Sequence, residues 1–205
     1  MMLTNWGYTL TEVDEVPALI TLEEFDEMTG DKYRGDVRAN TEALSAQSAI
    51  RNYVGWHLVG NLACEVGLRA VDKAVSVIGN DVMIQLPARY VTAIDNIIID
   101  GNEAADFYIQ PSGVLRVFDI VPASRKSEII VDYHAGLPDD VAMSVKELAA
   151  HHVTHALANS YGVQSESSGG VSITYSAAWI QNARSTKLSE SDKEVLEPYR
   201  LQGVF

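Results

Sequence analysis

The sequence predicts an α+β fold, a frame of three to four helices with an inserted antiparallel β-subdomain, and three observations carry that expectation. Between residues 57 and 135, short alternating runs of apolar and polar residues are separated by turn signals, as about six antiparallel strands require. On either side, apolar residues recur at helical spacing, over about 22–29 and 36–54 before and about 138–161 and 189–200 after. Between them, residues 129–160 switch from a two-residue period to one near 3.6.

In chain order, residues 1–21 mix polar and apolar residues without a clear period and read as a loose N-terminal arm. Residues 22–56 hold the N-terminal helices. Thr21 can cap the first, with Glu24 at its third position and Gly30 as its stop. In the second, Val37, Leu44, Ala46, Ile50 and Tyr53 or Val54 give an amphipathic face, and Gly55 ends it. Trp56 and His57 follow, a large ring expected to close the core beside a hydrogen-bonded imidazole.

The β-subdomain spans residues 57–135. Leu62, Cys64, Val66 and Leu68 alternate with Ala63, Glu65, Gly67 and Arg69 as in a half-buried strand. Similar runs occupy 74–78, 82–86, 94–99, 107–110, 114–118 and 127–133, divided at Gly79-Asn80-Asp81, Asp100-Gly101-Asn102 and Pro111-Ser112-Gly113. Strands without intervening helices exclude a βαβ nucleotide fold.

Gly136 breaks the run Ile129, Ile130, Val131 and Tyr133, and Pro138-Asp139-Asp140 starts the long helix of residues 136–162. Its expected buried face carries Val141, Val145, Leu148, Ala149, His152 and Ala156, widened by Val153 and Leu157. In residues 163–205, a Ser/Gly loop at 164–170 is expected to be mobile, and Val171, Ile173 and Tyr175 alternate in an extended piece. Ser189 can then cap a C-terminal helix through Asp192.

The composition narrows the function. With 47 % apolar and 21 % charged residues, the 205-residue chain is expected to bury a proper core. Cys64 is the single cysteine, so no internal disulfide forms and the fold does not depend on an oxidising compartment. No run approaches the ~20 apolar residues of a membrane-spanning helix and no signal-peptide pattern opens the chain, so a soluble, unsecreted protein without a membrane partner is expected. Fifteen basic against 28 acidic residues give a net charge of −13, which argues against a general nucleic-acid binder.

Catalytic signatures are sparse. His151 and His155 stand one helical turn apart, as two metal ligands should, with His152 beside them and Glu147 a further turn back. His-His-Val-Thr-His nevertheless lacks the glutamate that the HExxH motif places after its first histidine. There is no phosphate loop, no dinucleotide fingerprint and no nucleophile elbow. Cys64, inside an alternating strand, reads as a small buried hydrophobe. The expectation is therefore no enzyme, with no catalytic, cofactor-binding or metal residues and no cofactor.

The run Val131-Asp132-Tyr133-His134-Ala135-Gly136-Leu137-Pro138-Asp139-Asp140-Val141, followed by an Ala-rich helix, resembles a segment of tailed-phage head–tail connector (adaptor) proteins, the portal-attached ring proteins. Ala49-Ile50-Arg51-Asn52-Tyr53-Val54-Gly55-Trp56-His57, the stretch from Leu86-Pro87 to Val91, and Leu196-Glu197-Pro198-Tyr199-Arg200 agree with it in order and spacing.

The resemblance implies a virion structural protein that forms a ring, twelvefold in the virion, under the portal. Its partners would be other copies of itself, the portal protein and the next tail-completion or stopper protein, and DNA would pass through the ring without specific binding. It would occupy the host cytoplasm during assembly and then the head–tail interface of the virion. The resemblance also implies that the C-terminal end docks the ring to its partner, which suggests a segment ordered only on assembly. Two other classes compete with it, a metal-dependent hydrolase using His151 and His155 and a monomeric ligand-binding module.

Overall fold

A computed structural model describes residues 1–158 and 188–201, together with the backbone of the two strands Ser165–Ser168 and Val171–Thr174. The fold is α+β: the described residues form four α-helices, a six-stranded and a four-stranded antiparallel sheet, and a separate strand pair. They divide into two compact units. A β unit takes the described parts of Met1–Pro17, Gly55–Asp140 and Tyr199–Phe205, and a helical unit those of Ala18–Val54 and Val141–Pro198.

In the β unit, the larger sheet has the order β1-β2-β3-β10-β6-β7. These strands are β1 (Met2–Leu3), β2 (Thr9–Leu10), β3 (Leu62–Arg69), β6 (Val91–Ile99), β7 (Asn102–Glu103) and β10 (Glu128–Ala135). Strand β10 lies between β3 and β6 and pairs antiparallel with both. Its Ile129, Val131, Tyr133 and Ala135 are buried with Cys64, Val66 and Leu68 of β3 and Ile97 and Ile99 of β6. The alternation read from the sequence is thus the inside–outside alternation of a sheet with one covered face.

The smaller sheet has the order β4-β5-β9-β8, from β4 (Val75–Ile78), β5 (Asp81–Gln85), β8 (Phe107–Ile109) and β9 (Val114–Val117). The strands expected as one subdomain therefore divide between two sheets. The division follows from connection length, since residues within a short turn of each other pair first and the β4-β5 and β8-β9 hairpins form a sheet of their own.

The N-terminal arm, expected to be loose, instead supplies β1 and β2. Strand β2 pairs with β3, and Tyr8 and Leu10 are buried. The hairpin is closed by Thr4, whose backbone N–H (2.9 Å) and hydroxyl (2.7 Å) both donate to the Tyr8 carbonyl oxygen.

The end of β10 runs against another segment of backbone. Leu137 N–H donates to the Leu58 carbonyl at 2.7 Å and Gly136 N–H to that of Tyr90 at 3.2 Å. A Cβ on Gly136 would run into the Gly60 carbonyl oxygen, so only glycine fits there. Leu58 (φ 72°) and Tyr90 (φ 55°) both hold left-handed backbone to present those carbonyls. A bulky residue in that region costs about 1–3 kcal/mol and persists because the surrounding contacts dictate it.

In the helical unit, α1 (Leu22–Thr29) has the expected ends. Thr21 and Glu24 form a reciprocal capping box, and Gly30 closes the helix at φ 61°. Lys146 of the long helix reaches Glu24 at 2.6 Å. Helix α2 (Ala39–Val54) begins three residues later than expected, after Asp36 has accepted bonds from the Arg38 N–H and side chain.

Its buried face also differs. Ala39, Ala43, Ala46, Ile50 and Val54 are buried, whereas Val37 is 91 % and Leu44 57 % exposed. Small alanines at spacings of three and four let another segment approach closely, which a reading weighted towards large side chains does not detect. Gln47 on that face accepts the Leu19 N–H at 2.6 Å.

Helix α3 (Asp139–Ala158) buries Ala142, Val145, Ala149, Ala150, Val153 and Leu157. The expected stripe is thereby rotated, leaving Val141, Leu148, His152 and Ala156 at its half-buried margins. The Ser/Gly loop expected at 164–170 contains a strand: β11 (Ser165–Ser168) pairs antiparallel with β12 (Val171–Thr174), which is the expected extended piece. The rest of that loop and Tyr175 lie outside the described residues.

Helix α4 (Glu190–Leu196) is capped by Ser189 and Asp192 as expected and leads into a 3₁₀ turn, Glu197–Tyr199. Leu196 is fully buried, because a helix with an apolar residue facing its own subunit is stabilised by covering it.

Candidate functional site

The polar groups that the sequence singled out are gathered in four places. On α3, the His151 and His155 rings lie 4.3 Å apart, centroid to centroid, as one helical turn requires. His152 turns aside: its Nε2 is 3.2 Å from Asp192 Oδ2 of α4. The pair is close enough for charge attraction but off the line of a hydrogen bond, so it acts as an ion pair when the imidazole is protonated. Glu147 is exposed a turn away.

Among the described residues, no group of three or more His, Cys, Asp and Glu side chains converges on a point where a metal ion could sit. Burial and the neighbouring charges of His151 and His152 hold the His155 imidazole below its ordinary value, against an opposing pull from Asp192. Burial raises the Asp192 carboxyl, but hydrogen bonds from Ser189 and the charge of His152 outweigh it and hold it below the usual carboxylate range.

The second place is Cys64, buried on β3 across from Tyr133 on β10. Burial pushes its thiol up to about 12, only partly offset by the nearby Tyr133 hydroxyl, so no nucleophilic thiolate forms near neutral pH. The Cys64 thiol donates weakly to the Leu62 carbonyl at 3.3 Å. The Tyr133 hydroxyl is close to Cys64 but lacks hydrogen-bond alignment with any described residue.

The third lies around Trp56 and His57, both fully buried as a ring beside a hydrogen-bonded imidazole should be. His57 Nε2 bonds to the Ala135 carbonyl at 2.8 Å, and since a carbonyl only accepts, Nε2 carries the proton. Nδ1 therefore accepts from the Tyr8 hydroxyl at 2.7 Å, and that hydroxyl accepts the His57 backbone N–H at 3.1 Å. Trp56 Nε1–H donates to the Tyr199 carbonyl at 2.7 Å.

Within the helical unit, the Tyr53 hydroxyl donates to Glu197 at 2.8 Å. Together with His152–Asp192 this fastens the C-terminal helix through side chains far away in sequence. Sequence reasoning missed Tyr8 and both partners of α4. The alternation of Tyr8 and Leu10 about Thr9 was the one available sign of an N-terminal strand.

The fourth place is a shallow groove of about 710 Å³ in the β unit, lined by Gly67, Leu68, Arg69, Asp72, Lys126 and Glu128. Two cationic and two anionic side chains cancel across it, and Asp72 already accepts the Arg69 N–H at 2.7 Å. It selects no ligand charge.

The described residues thus form an α+β fold whose buried polar groups tie distant segments of chain to one another. Residues 18–201 match the model of the head completion protein family, and the chain belongs to that family, a phage head–tail connector family. The match agrees with the resemblance drawn from the 131–141 run and makes this a structural protein of the bacteriophage virion. No curated protein matches the chain significantly.

Proposed function

We propose that the chain is the repeating subunit of a ring beneath the portal, joining head to tail and leaving a central channel through which DNA passes. The observation that carries this reading is the family match, which spans 18–201 and so includes nearly all of both units. Copies bind side by side through heterologous contacts that close on themselves, and a closed ring matched to the portal is twelvefold in the virion. The portal lies on one side and the next tail-completion or stopper protein on the other.

The mechanism is assembly, without catalysis and without a cofactor. A net charge of −13 suits a wall past which DNA must slide, since clustered cations would grip phosphates and slow its passage. No helix among the described residues is long and apolar enough to cross a membrane. Assembly would take place in the host cytoplasm, before incorporation into the virion.

Electron microscopy of the concentrated protein, alone and mixed with its portal, tests the reading. Rings with an open centre that stack on portal rings are expected. A chain that stays monomeric with portal present would exclude it.

A further inference from the structure

The four-stranded sheet carries information about how one copy would meet the next. Its pairing sets side chains into straight cross-strand rows: Val77–Val82–Val117–Phe107, and beside it Val75–Ile84–Leu115–Ile109. The middle of the first row is fully buried, but its two ends are not, Val77 being 46 % and Phe107 36 % exposed. The row is thus covered at its centre and leaves apolar side chains half-exposed at both ends.

Both ends lie on unpaired edges. No described strand pairs with the outer side of β4 or of β8. Both edge strands are short, but neither carries a charge or a proline to discourage pairing, the sequences being Val-Ser-Val-Ile in β4 and Phe-Tyr-Ile in β8. Tyr108 and Ile78 on the same edges are also exposed.

The strand directions complete the argument. All three pairings are antiparallel, so across four strands β8 runs opposite to β4. When β8 of one copy lies beside β4 of another, the alternation continues unbroken. Extending the rows in register puts Phe107 opposite Val77 and Tyr108 opposite Ser76.

We propose that β8 of one subunit pairs antiparallel with β4 of the next copy of this chain, a head-to-tail contact that joins the small sheets around the ring. The proposal rests on the ring reading and deepens it by naming the contact. The two edges are different surfaces, so the interface is heterologous, the kind that propagates from copy to copy and closes by rotation. Backbone hydrogen bonds supply the pairing, and covering Phe107 with Val77 supplies the apolar burial.

Cysteine pairs test it, since Cys64 is buried and its thiol inert. Chains bearing Val77→Cys are mixed with chains bearing Phe107→Cys, assembled with portal rings and oxidised. Ser76→Cys with Tyr108→Cys forms a second pair in the adjacent row. Antiparallel rows alternate between wide and close spacing, so one of the two pairs has the separation that a disulfide needs.

Disulfide-linked dimers are expected in a mixture and not in either variant alone. Linkage of Val77→Cys chains to themselves would overturn the head-to-tail order. Rings seen by electron microscopy with neither mixture linked would overturn the edge pairing and leave the ring standing. The absence of both rings and links would remove the ring reading and the edge pairing together.

Discussion

The Tyr8 hydroxyl both donates to His57 Nδ1 at 2.7 Å and accepts the His57 backbone N–H at 3.1 Å, so one side chain on the N-terminal hairpin satisfies two buried groups of a residue 49 positions away. Tyr8→Phe removes both bonds. Each hydrogen bond contributes about 0.5–1.5 kcal/mol, so stability should fall by about 1–3 kcal/mol in urea unfolding. An unchanged urea midpoint would mean that the hairpin is not fastened this way.

Tyr133 supplies the opposite case in the same unit. Its hydroxyl is buried and unaligned with any described partner, so Tyr133→Phe removes an unsatisfied group and keeps the ring. Stability should stay the same or rise by about 1 kcal/mol. A loss comparable to that of Tyr8→Phe would show that the hydroxyl has a partner.

The C-terminal helix should stabilise the free subunit. Leu196 is fully buried, and Leu196→Ala should cost about 2–5 kcal/mol, the usual range for a buried leucine. Removing residues 189–205 should cost more, because Tyr53, His152 and the Trp56 indole lose their partners together. If the truncated chain melts at the temperature of the full one, α4 contributes nothing to the subunit.

Acid should weaken the molecule in two stages. The folded His155 imidazole has a depressed pKa, so between that value and 6.5 the unfolded chain binds more protons. Stability therefore rises with pH across that window and falls as pH is lowered through it. Asp192 acts further down: its depressed carboxyl contributes stability that is present above 3.8 and lost as pH falls through the folded value. Urea midpoints taken from about pH 7 to about pH 3 should show both stages, with His155→Gln flattening the upper and Asp192→Asn the lower. A wild-type midpoint that is flat from about pH 7 to about pH 5 would contradict the His155 assignment.

Duplex DNA should not bind measurably at physiological salt, given 28 acidic against 15 basic residues. Fluorescence anisotropy with a labelled duplex measures it. Micromolar binding that weakens steeply with added salt would reveal a cationic surface that the net charge conceals.

What the sequence determined by itself about this protein is whatever acts within a few residues. Thr21 with Glu24, Ser189 with Asp192, Gly30 at its left-handed cap and the strands between 62 and 135 other than β7 were legible, because a capping box closes over three positions and a strand announces itself by alternation. The 131–141 run likewise marked the family.

Only the tertiary structure decided which of those elements meet. Tyr8 reaches His57, His152 reaches Asp192, Trp56 reaches Tyr199, and the strands sort into two sheets rather than one. No window of sequence contains both members of such a pair. The buried faces of α2 and α3 were decided in the same way: Ala43 and Ala142 are buried and Leu44 is exposed, an order that side-chain size alone does not give.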